Sequence, residues 1–156
     1  MGFSRRKQRG LTLVELIVAI TILLLLTTMA LPLARFKVRR EREKELRWAL
    51  AEMRRAIDKY KDAASANLLP PGKIDSDGYP ESLQQLVEGV RPNGSPDKKL
   101  RFLRRIPRDP FTNSFDWGLH STRDDPDSMG WGGQNVFDVY TKSTEKAPDG
   151  TAYAEW

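Results

Sequence analysis

The sequence predicts an α+β protein in which a long N-terminal helix, transmembrane in its first half, packs its second half against a small antiparallel β-sheet. The evidence is an apolar run near the N-terminus, an apolar stripe at helical spacing after it, and short β-rich segments in the C-terminal half. The predicted boundaries are a basic leader at 1–10, a transmembrane helix at 11–34, its continuation at 35–66, and a globular domain at 67–156.

The positive charge of the chain is concentrated ahead of the apolar run. The formal net charge is +5, and Arg5, Arg6, Lys7 and Arg9 carry four of these charges. Without residues 1–10 the chain has 22 Lys and Arg residues against 21 Asp and Glu residues. Because nucleic-acid binding needs a basic excess on the folded domain, we expect no nucleic-acid partner.

Residue types also argue against catalysis. The chain has no cysteine, which excludes disulfides, thiolate zinc sites and thiol chemistry. Its one histidine, His120, has no recognisable nucleophile partner, and no glycine-rich phosphate loop or metal-ligand cluster occurs. We therefore expect a protein that is not an enzyme.

The apolar run from Leu11 to Ala34 contains 24 residues and a single charge, Glu15. At about 1.5 Å per residue, a helix of this length crosses a hydrocarbon core of about 30 Å. A carboxylate in such a segment is either functional or placed at the interface, where it reaches back to water. An ordinary signal peptide cleaved after Thr28-Met29-Ala30 is the alternative, although its apolar core would be unusually long.

The string from Arg9 to Leu16 closely resembles the processing motif of type IV pilins and type II secretion pseudopilins. The resemblance implies that a prepilin peptidase cuts after Gly10 and methylates Leu11, which stands where the family most often has Phe. Glu15 is then the fifth mature residue. It also implies an inner-membrane protein with a single pass and a periplasmic C-terminal domain. The basic residues on both sides of the run do not by themselves establish this orientation.

Processing suggests a role for Glu15. The new amine at Leu11 and the carboxylate of Glu15 on a neighbouring subunit can neutralise each other at low dielectric. We therefore predict that these two residues pair between subunits during assembly.

The helix is expected to continue beyond the membrane segment. Pro32 predicts a kink in it, or alternatively the end of the membrane helix. Residues 35–45 are mostly charged, and an apolar stripe with spacings of three and four follows. The stripe predicts a face that packs on the globular domain, and it consists of Leu46, Leu50, Met53, Ile57, Tyr60 and Ala64. Asn67 and the Pro70-Pro71-Gly72 cluster are expected to end the helix.

The globular domain shows one helical and several extended patterns. Residues 80–87 predict a short helix that ends near Gly89, and 100–106 predict either a strand or an extended connector. Residues 115–117 and 136–140 predict strands. The glycine- and aspartate-rich stretch 118–135 is predicted to be a solvated loop insertion, with a cation site as the alternative. We expect Trp117, Trp131 and Trp156 to pin loops to the sheet.

Several C-terminal segments are similar to the G-type major pseudopilin of type II secretion. These segments are Tyr79-Pro80, 106–111, 135–139 and 149–156. The resemblance implies calcium in the C-terminal loop, with Asp149 and Thr151 among the ligands and Ser143 or Thr144 where the family has an aspartate. A plain Asp149-Gly150 turn is the alternative.

The expected function is that of a structural subunit of the type II secretion pseudopilus. The resemblance implies as partners further copies of the chain, minor pseudopilins, the prepilin peptidase and the inner-membrane secretion assembly platform. A type IV pilus subunit for adhesion, motility or DNA uptake is one alternative. A soluble binding domain released near Ala30 is the other.

Overall fold

A computed structural model describes residues 12–94 and 97–156, except for the side chains of 28–34. The predicted leader and the processing residues Gly10 and Leu11 lie outside the described residues. The chain divides into two compact units, one up to Glu41 and the other from Arg42 to Trp156. The predicted α+β fold class is confirmed by a long helix and a two-stranded antiparallel sheet.

Helix α1 comprises Leu13–Ser65. It is helical through Pro32, so the alternative in which the helix ends there is wrong. The kink stays a prediction because the side chain of Pro32 is outside the described part. At the C-terminal end, Asn67 adopts a left-handed conformation with φ 56°. The Leu68 N–H donates to the Ala63 carbonyl and the Asn67 N–H to the Ala64 carbonyl, which is the Schellman pattern of helix termination.

The predicted apolar stripe is the centre of the core of the second unit. Its first five members, Leu46, Leu50, Met53, Ile57 and Tyr60, are at most 6% exposed, and Ala64 packs partly buried at the end. Leu86, Val136, Val139 and Tyr153 from the rest of the unit are fully buried in the same cluster. The prediction that this face of α1 is core is confirmed.

A short helix, α2, covers Leu83–Glu88 and ends at the C-cap Gly89, as predicted. The Ser82 side chain caps its N-terminus by accepting a hydrogen bond from the Gln85 N–H at 3.3 Å. Residues 100–106 form an extended connector, in which only Leu100 makes an isolated bridge, to Val90. Two short 3₁₀ turns, Ile74–Ser76 and Tyr153–Glu155, complete the helical elements of the described residues.

The sheet consists of β1, Gly118–His120, and β2, Asp138–Tyr140. The strands are antiparallel, with Leu119 opposite Val139. The strand predicted at 115–117 is wrong. Strand β1 begins instead at Gly118, which was predicted to belong to the loop 118–135. Gly118 is required there by the ring of Tyr140 opposite it, since an added Cβ would lie 2.2 Å from the ring carbon Cζ. The predicted strand 136–140 is shorter than expected and begins at Asp138.

Among the described residues, no helix is long and apolar enough to count as a membrane span.

Candidate functional site

The first turn of α1 is built around Thr12 and Glu15. Thr12 precedes the helix, and its hydroxyl oxygen accepts a hydrogen bond from the Glu15 N–H at 3.3 Å, which caps the helix. Glu15 is therefore the third residue of α1, where a carboxylate also interacts favourably with the helix dipole. The local structure gives Glu15 a role within its own chain, beside the predicted role between subunits.

The described side chains that follow Glu15 form an exposed apolar surface on α1. All described side chains from 12 to 27 are exposed, and the large apolar ones are each 48–74% exposed. The polar hydroxyls of this segment are satisfied locally, since Thr21 donates to the Ile17 carbonyl at 2.8 Å and Thr27 to the Leu23 carbonyl at 2.7 Å. An exposed apolar surface of this extent indicates a lipid or protein partner.

Asp149 and Thr151 form a closed turn in the C-terminal loop. One oxygen of the Asp149 carboxylate accepts hydrogen bonds from the Thr151 N–H at 3.0 Å and the Thr151 hydroxyl at 2.7 Å. These bonds lower the pKa of Asp149 below its usual value, the hydroxyl contributing most. Ser143 is buried, and its hydroxyl oxygen accepts from the Glu145 N–H at 3.2 Å.

The donors of this loop do not fit a calcium ion as they are arranged. Calcium takes six to eight oxygens, several of them from carboxylates. The Ala147 and Thr151 carbonyls accept hydrogen bonds from main-chain N–H groups, and the described residues contain no group of three or more potential acidic or histidine ligands. The turn alternative is the one that this geometry favours.

Calcium is therefore expected to leave the stability of the protein unchanged. A site with calcium at about a hundred times its Kd would add about 2.7 kcal/mol to the free energy of unfolding, and urea unfolding with calcium or with a chelator measures this directly.

The folded pKa of Asp149 lies below its unfolded value of about 4, so the turn stabilises the fold above that pH and less as pH falls through the folded pKa. Asp149→Asn should reduce this fall in the free energy of unfolding at low pH, and by the same amount with and without calcium. Stabilisation by calcium that Asp149→Asn removes would restore the metal assignment.

The predicted loop insertion 118–135 contributes its first three residues to β1, and the remainder folds around Asp124. The Asp124 carboxylate accepts hydrogen bonds from the Ser121 N–H at 2.7 Å and the Gly132 N–H at 3.1 Å. These main-chain donors lower the pKa of Asp124. Because the carboxylate closes its own loop, the geometry favours the solvated-loop prediction over the cation site.

Trp117, Trp131 and Trp156 were predicted to pin loops to the sheet, and they contact a connector, their own loop and α1, respectively. Trp117 is buried, and its Nε1–H donates to the Pro107 carbonyl at 2.9 Å. The Nε1–H of Trp131 donates to the Asn135 carbonyl at 2.8 Å, and the ring of Trp156 packs under the Arg47 guanidinium at 4.0 Å. His120 has a similar structural role, since its ring stacks on Tyr140 and its Nε2 lies 2.6 Å from the Ser128 carbonyl.

Two buried polar residues that sequence analysis did not identify organise the globular unit. Asp109 is fully buried and accepts hydrogen bonds from the Thr141 hydroxyl and from the Phe111 N–H at 2.8 Å. Asn135 is also fully buried, donates to the Ser76 carbonyl at 3.2 Å and accepts from the Thr122 N–H at 3.1 Å. The only local signal was the pair of prolines around Asp109, which suggests an ordered turn.

Arg54 was also missed, because it looks like an ordinary exposed residue of a charged helix. Its guanidinium forms a bidentate ion pair with the Asp138 carboxylate, with Nε 2.6 Å from Oδ1 and Nη2 3.1 Å from Oδ2. The same Nη2 donates to the main-chain oxygen of Trp156 at 2.8 Å. Arg54 thus joins α1 to β2 and to Trp156.

Comparison with known proteins identifies the N-terminal segment. Residues 5–31 match the family described as "Prokaryotic N-terminal methylation motif". No curated protein and no solved structure matches the chain. This motif is the one found in type IV pilins and pseudopilins, and the match is confined to the N-terminal segment of the chain.

The matched segment is therefore pilin-like, and proteins that carry this motif are structural rather than catalytic. In such proteins the motif implies processing by the prepilin peptidase, filament assembly, and an inner-membrane anchor with a periplasmic domain.

Proposed function

We propose that this protein is a subunit of the type II secretion pseudopilus, anchored in the inner membrane by α1 and assembled into a periplasmic filament that drives protein export. The proposed processing takes place between Gly10 and Leu11. The proposed partners are further copies of the chain, minor pseudopilins and the inner-membrane assembly platform.

The observation that carries the proposal is the exposed apolar surface of α1, with Glu15 as its one acidic residue within the matched motif. Membrane lipid covers such a surface before assembly, and neighbouring helices cover it in a filament. A carboxylate on this surface requires a counter-charge, which the amine released at Leu11 supplies on a neighbouring subunit.

The choice of secretion over a type IV pilus rests on the C-terminal resemblance to the G-type pseudopilin. Three features of the described structure are compatible with a G-type pseudopilin. They are the small two-stranded sheet, the short capped helix α2 and a core without disulfides. The role of Glu15 and the kink at Pro32 are parts of the same proposal.

Two measurements test this function. Mass spectrometry of the protein from membranes should give a mature chain that begins at a methylated Leu11, whereas a start at Leu31 would mean a signal peptide and a released domain. Deletion of the gene should stop export of secreted proteins and leave twitching and transformation intact, and the wild-type gene should restore export. Loss of twitching or transformation with normal export would instead assign the protein to a type IV pilus.

A further inference from the structure

One side of the second unit carries an open groove with exposed aromatic side chains. We call it the Trp48 groove, and its main lining residues are Trp48, Arg104, Arg105, Ile106, Arg108 and Phe115. Its volume is about 910 Å³, which leaves room for more than one large side chain. Trp48 is 64% exposed and Phe115 is 62% exposed. Large aromatic residues exposed together are typical of binding surfaces.

The wall of the groove formed by 104–108 is basic. Among the described residues, neither Arg104 nor Arg105 has an ion-pair partner, and both are exposed. Arg108 donates its Nε–H to the Asn113 carbonyl at 2.9 Å and lies over the Phe115 ring at 5.8 Å. The acidic lining residues of the groove, Glu45 and Glu52, both belong to α1. The groove therefore presents two free guanidinium groups beside its aromatic residues.

The acidic loop, residues 122–133, has the opposite character. Met129 is 69% exposed and Trp131 is 43% exposed. Asp125 and Asp127 are exposed beside them, and neither carboxylate has a partner among residues 12–94 and 97–156. The loop thus combines two apolar side chains with two unpaired negative charges.

The acidic loop is held in shape by hydrogen bonds from within the unit. The Asp124 carboxylate accepts hydrogen bonds from the main-chain N–H groups of both Ser121 and Gly132. The Tyr140 hydroxyl donates to the Met129 carbonyl at 2.9 Å. The Trp131 Nε1–H donates to the Asn135 carbonyl. A loop already fixed in its binding shape loses less conformational entropy when it docks.

The groove and the acidic loop lie on different sides of the packed part of α1. Trp48 lines the groove, whereas Arg54 lines a separate pocket together with Asp124 at the base of the acidic loop. Arg54 lies six positions after Trp48, which places the two residues about 120° apart around a helix with 3.6 residues per turn. The two surfaces are therefore suited to contact different neighbours.

We propose that the acidic loop of one copy docks into the Trp48 groove of a second copy. Met129 and Trp131 pack against Trp48 and Phe115, and Asp125 and Asp127 pair with Arg104 and Arg105. Because two different surfaces meet, the contact is head-to-tail, and repetition of such a contact builds an open filament when its rotation does not close into a ring. The inference rests on the proposed assembly function and identifies the contact that its globular units make.

Cysteine cross-linking tests which surfaces meet. The full chain contains no cysteine, so introduced cysteines report only the chosen pair. Copies with Arg105→Cys and copies with Asp127→Cys, produced together and oxidised in membranes, should give a disulfide-linked pair of this chain. Lys98→Cys, which is also exposed but outside the groove, is the matched control in place of Arg105→Cys. Equal cross-linking with the control, or a cross-link to a different protein instead of a second copy, would overturn the proposal.

Charge exchange provides a second test with an internal rescue. The pair Arg104→Glu and Arg105→Glu should lower the yield of sheared filaments on the order of tenfold, and so should Asp125→Lys with Asp127→Lys. All four substitutions in one chain should restore the yield, because the complementary charges are present again. Failure of rescue, or full yield from either reversed pair, would overturn the contact.

The same assay separates this inference from the function on which it rests. If filaments form normally with each reversed pair but not with Glu15→Gln, the loop and groove contact is wrong and the assembly function stands. If the wild-type chain forms no filament and its mature form begins at Leu31, the assembly function itself is wrong.

Discussion

Glu15→Gln should leave cleavage after Gly10 intact and abolish incorporation into filaments. Glutamine keeps the size of the side chain and its ability to form hydrogen bonds in the first turn of α1, but it cannot neutralise the Leu11 amine of a neighbouring subunit. An uncompensated charge in a low-dielectric contact costs about 3 kcal/mol or more, which is over a hundredfold in the association constant of each subunit. Mass spectrometry of the mature chain and immunoblots of sheared filaments measure the two steps separately.

Two further variants distinguish the possible roles of Glu15. Thr12→Ala removes the hydroxyl that accepts the Glu15 N–H and keeps the carboxylate, so it should cost only about 1 kcal/mol of helix stability and permit assembly. Glu15→Leu removes both charge and polarity and should behave like Glu15→Gln. If Gln assembles and Leu does not, the residue acts on its own helix. If both assemble as wild type does, Glu15 is an interfacial residue with no part in assembly.

Asp109→Ala should lower the free energy of unfolding by about 3 kcal/mol. It removes the acceptor for the Thr141 hydroxyl and the Phe111 N–H in a fully buried position. Unsatisfied buried donors and the cavity left by the carboxylate both destabilise the fold. Urea unfolding followed by tryptophan fluorescence measures the change, because buried Trp117 donates to Pro107 in the same segment.

The matched control for Asp109 is Asp116→Ala. Asp116 is exposed, and its carboxylate pairs with Lys142 at the surface, at 2.7 Å, so its loss should cost less than about 1 kcal/mol. Asp109→Asn should fall between the two, since an amide keeps one acceptor oxygen and the Thr141 hydroxyl can rotate to accept. Equal effects of Asp109→Ala and Asp116→Ala would show that the buried carboxylate does not hold the loop.

The periodic features of the chain were predictable from sequence. The stripe from Leu46 to Tyr60 predicted the buried face of α1 because side chains three and four apart share one face of any helix. Gly89 marked the end of α2 because glycine favours a helix C-terminus, whereas the helix begins at Leu83, three residues after the predicted start at residue 80. The N-terminal methylation motif was equally predictable from sequence, because its basic residues, glycine and glutamate all lie within one short segment.

The features set by distant contacts were not predictable in this way. Gly118 is in a strand because the Tyr140 ring lies over it, and nothing near Gly118 in the sequence signals that ring. The partners of Arg54 are 84 and 102 residues away, and the Thr141 partner of Asp109 is 32 residues away. The Trp48 groove likewise requires α1 and residues 104–115 to be placed together.

The attachment of Trp156 to Arg54 limits how the protein can be labelled. The Trp156 main-chain oxygen accepts from Arg54, its ring lies beneath Arg47, and neighbouring Tyr153 is fully buried with its hydroxyl donating to Glu43 at 2.8 Å. An epitope tag or fluorescent protein fused directly after Trp156 would have to exit through these contacts. Gly94 offers a better insertion point, because among the described residues no atom lies within 4 Å of where its Cβ would be. Imaging of filament growth in living cells is best designed around that turn.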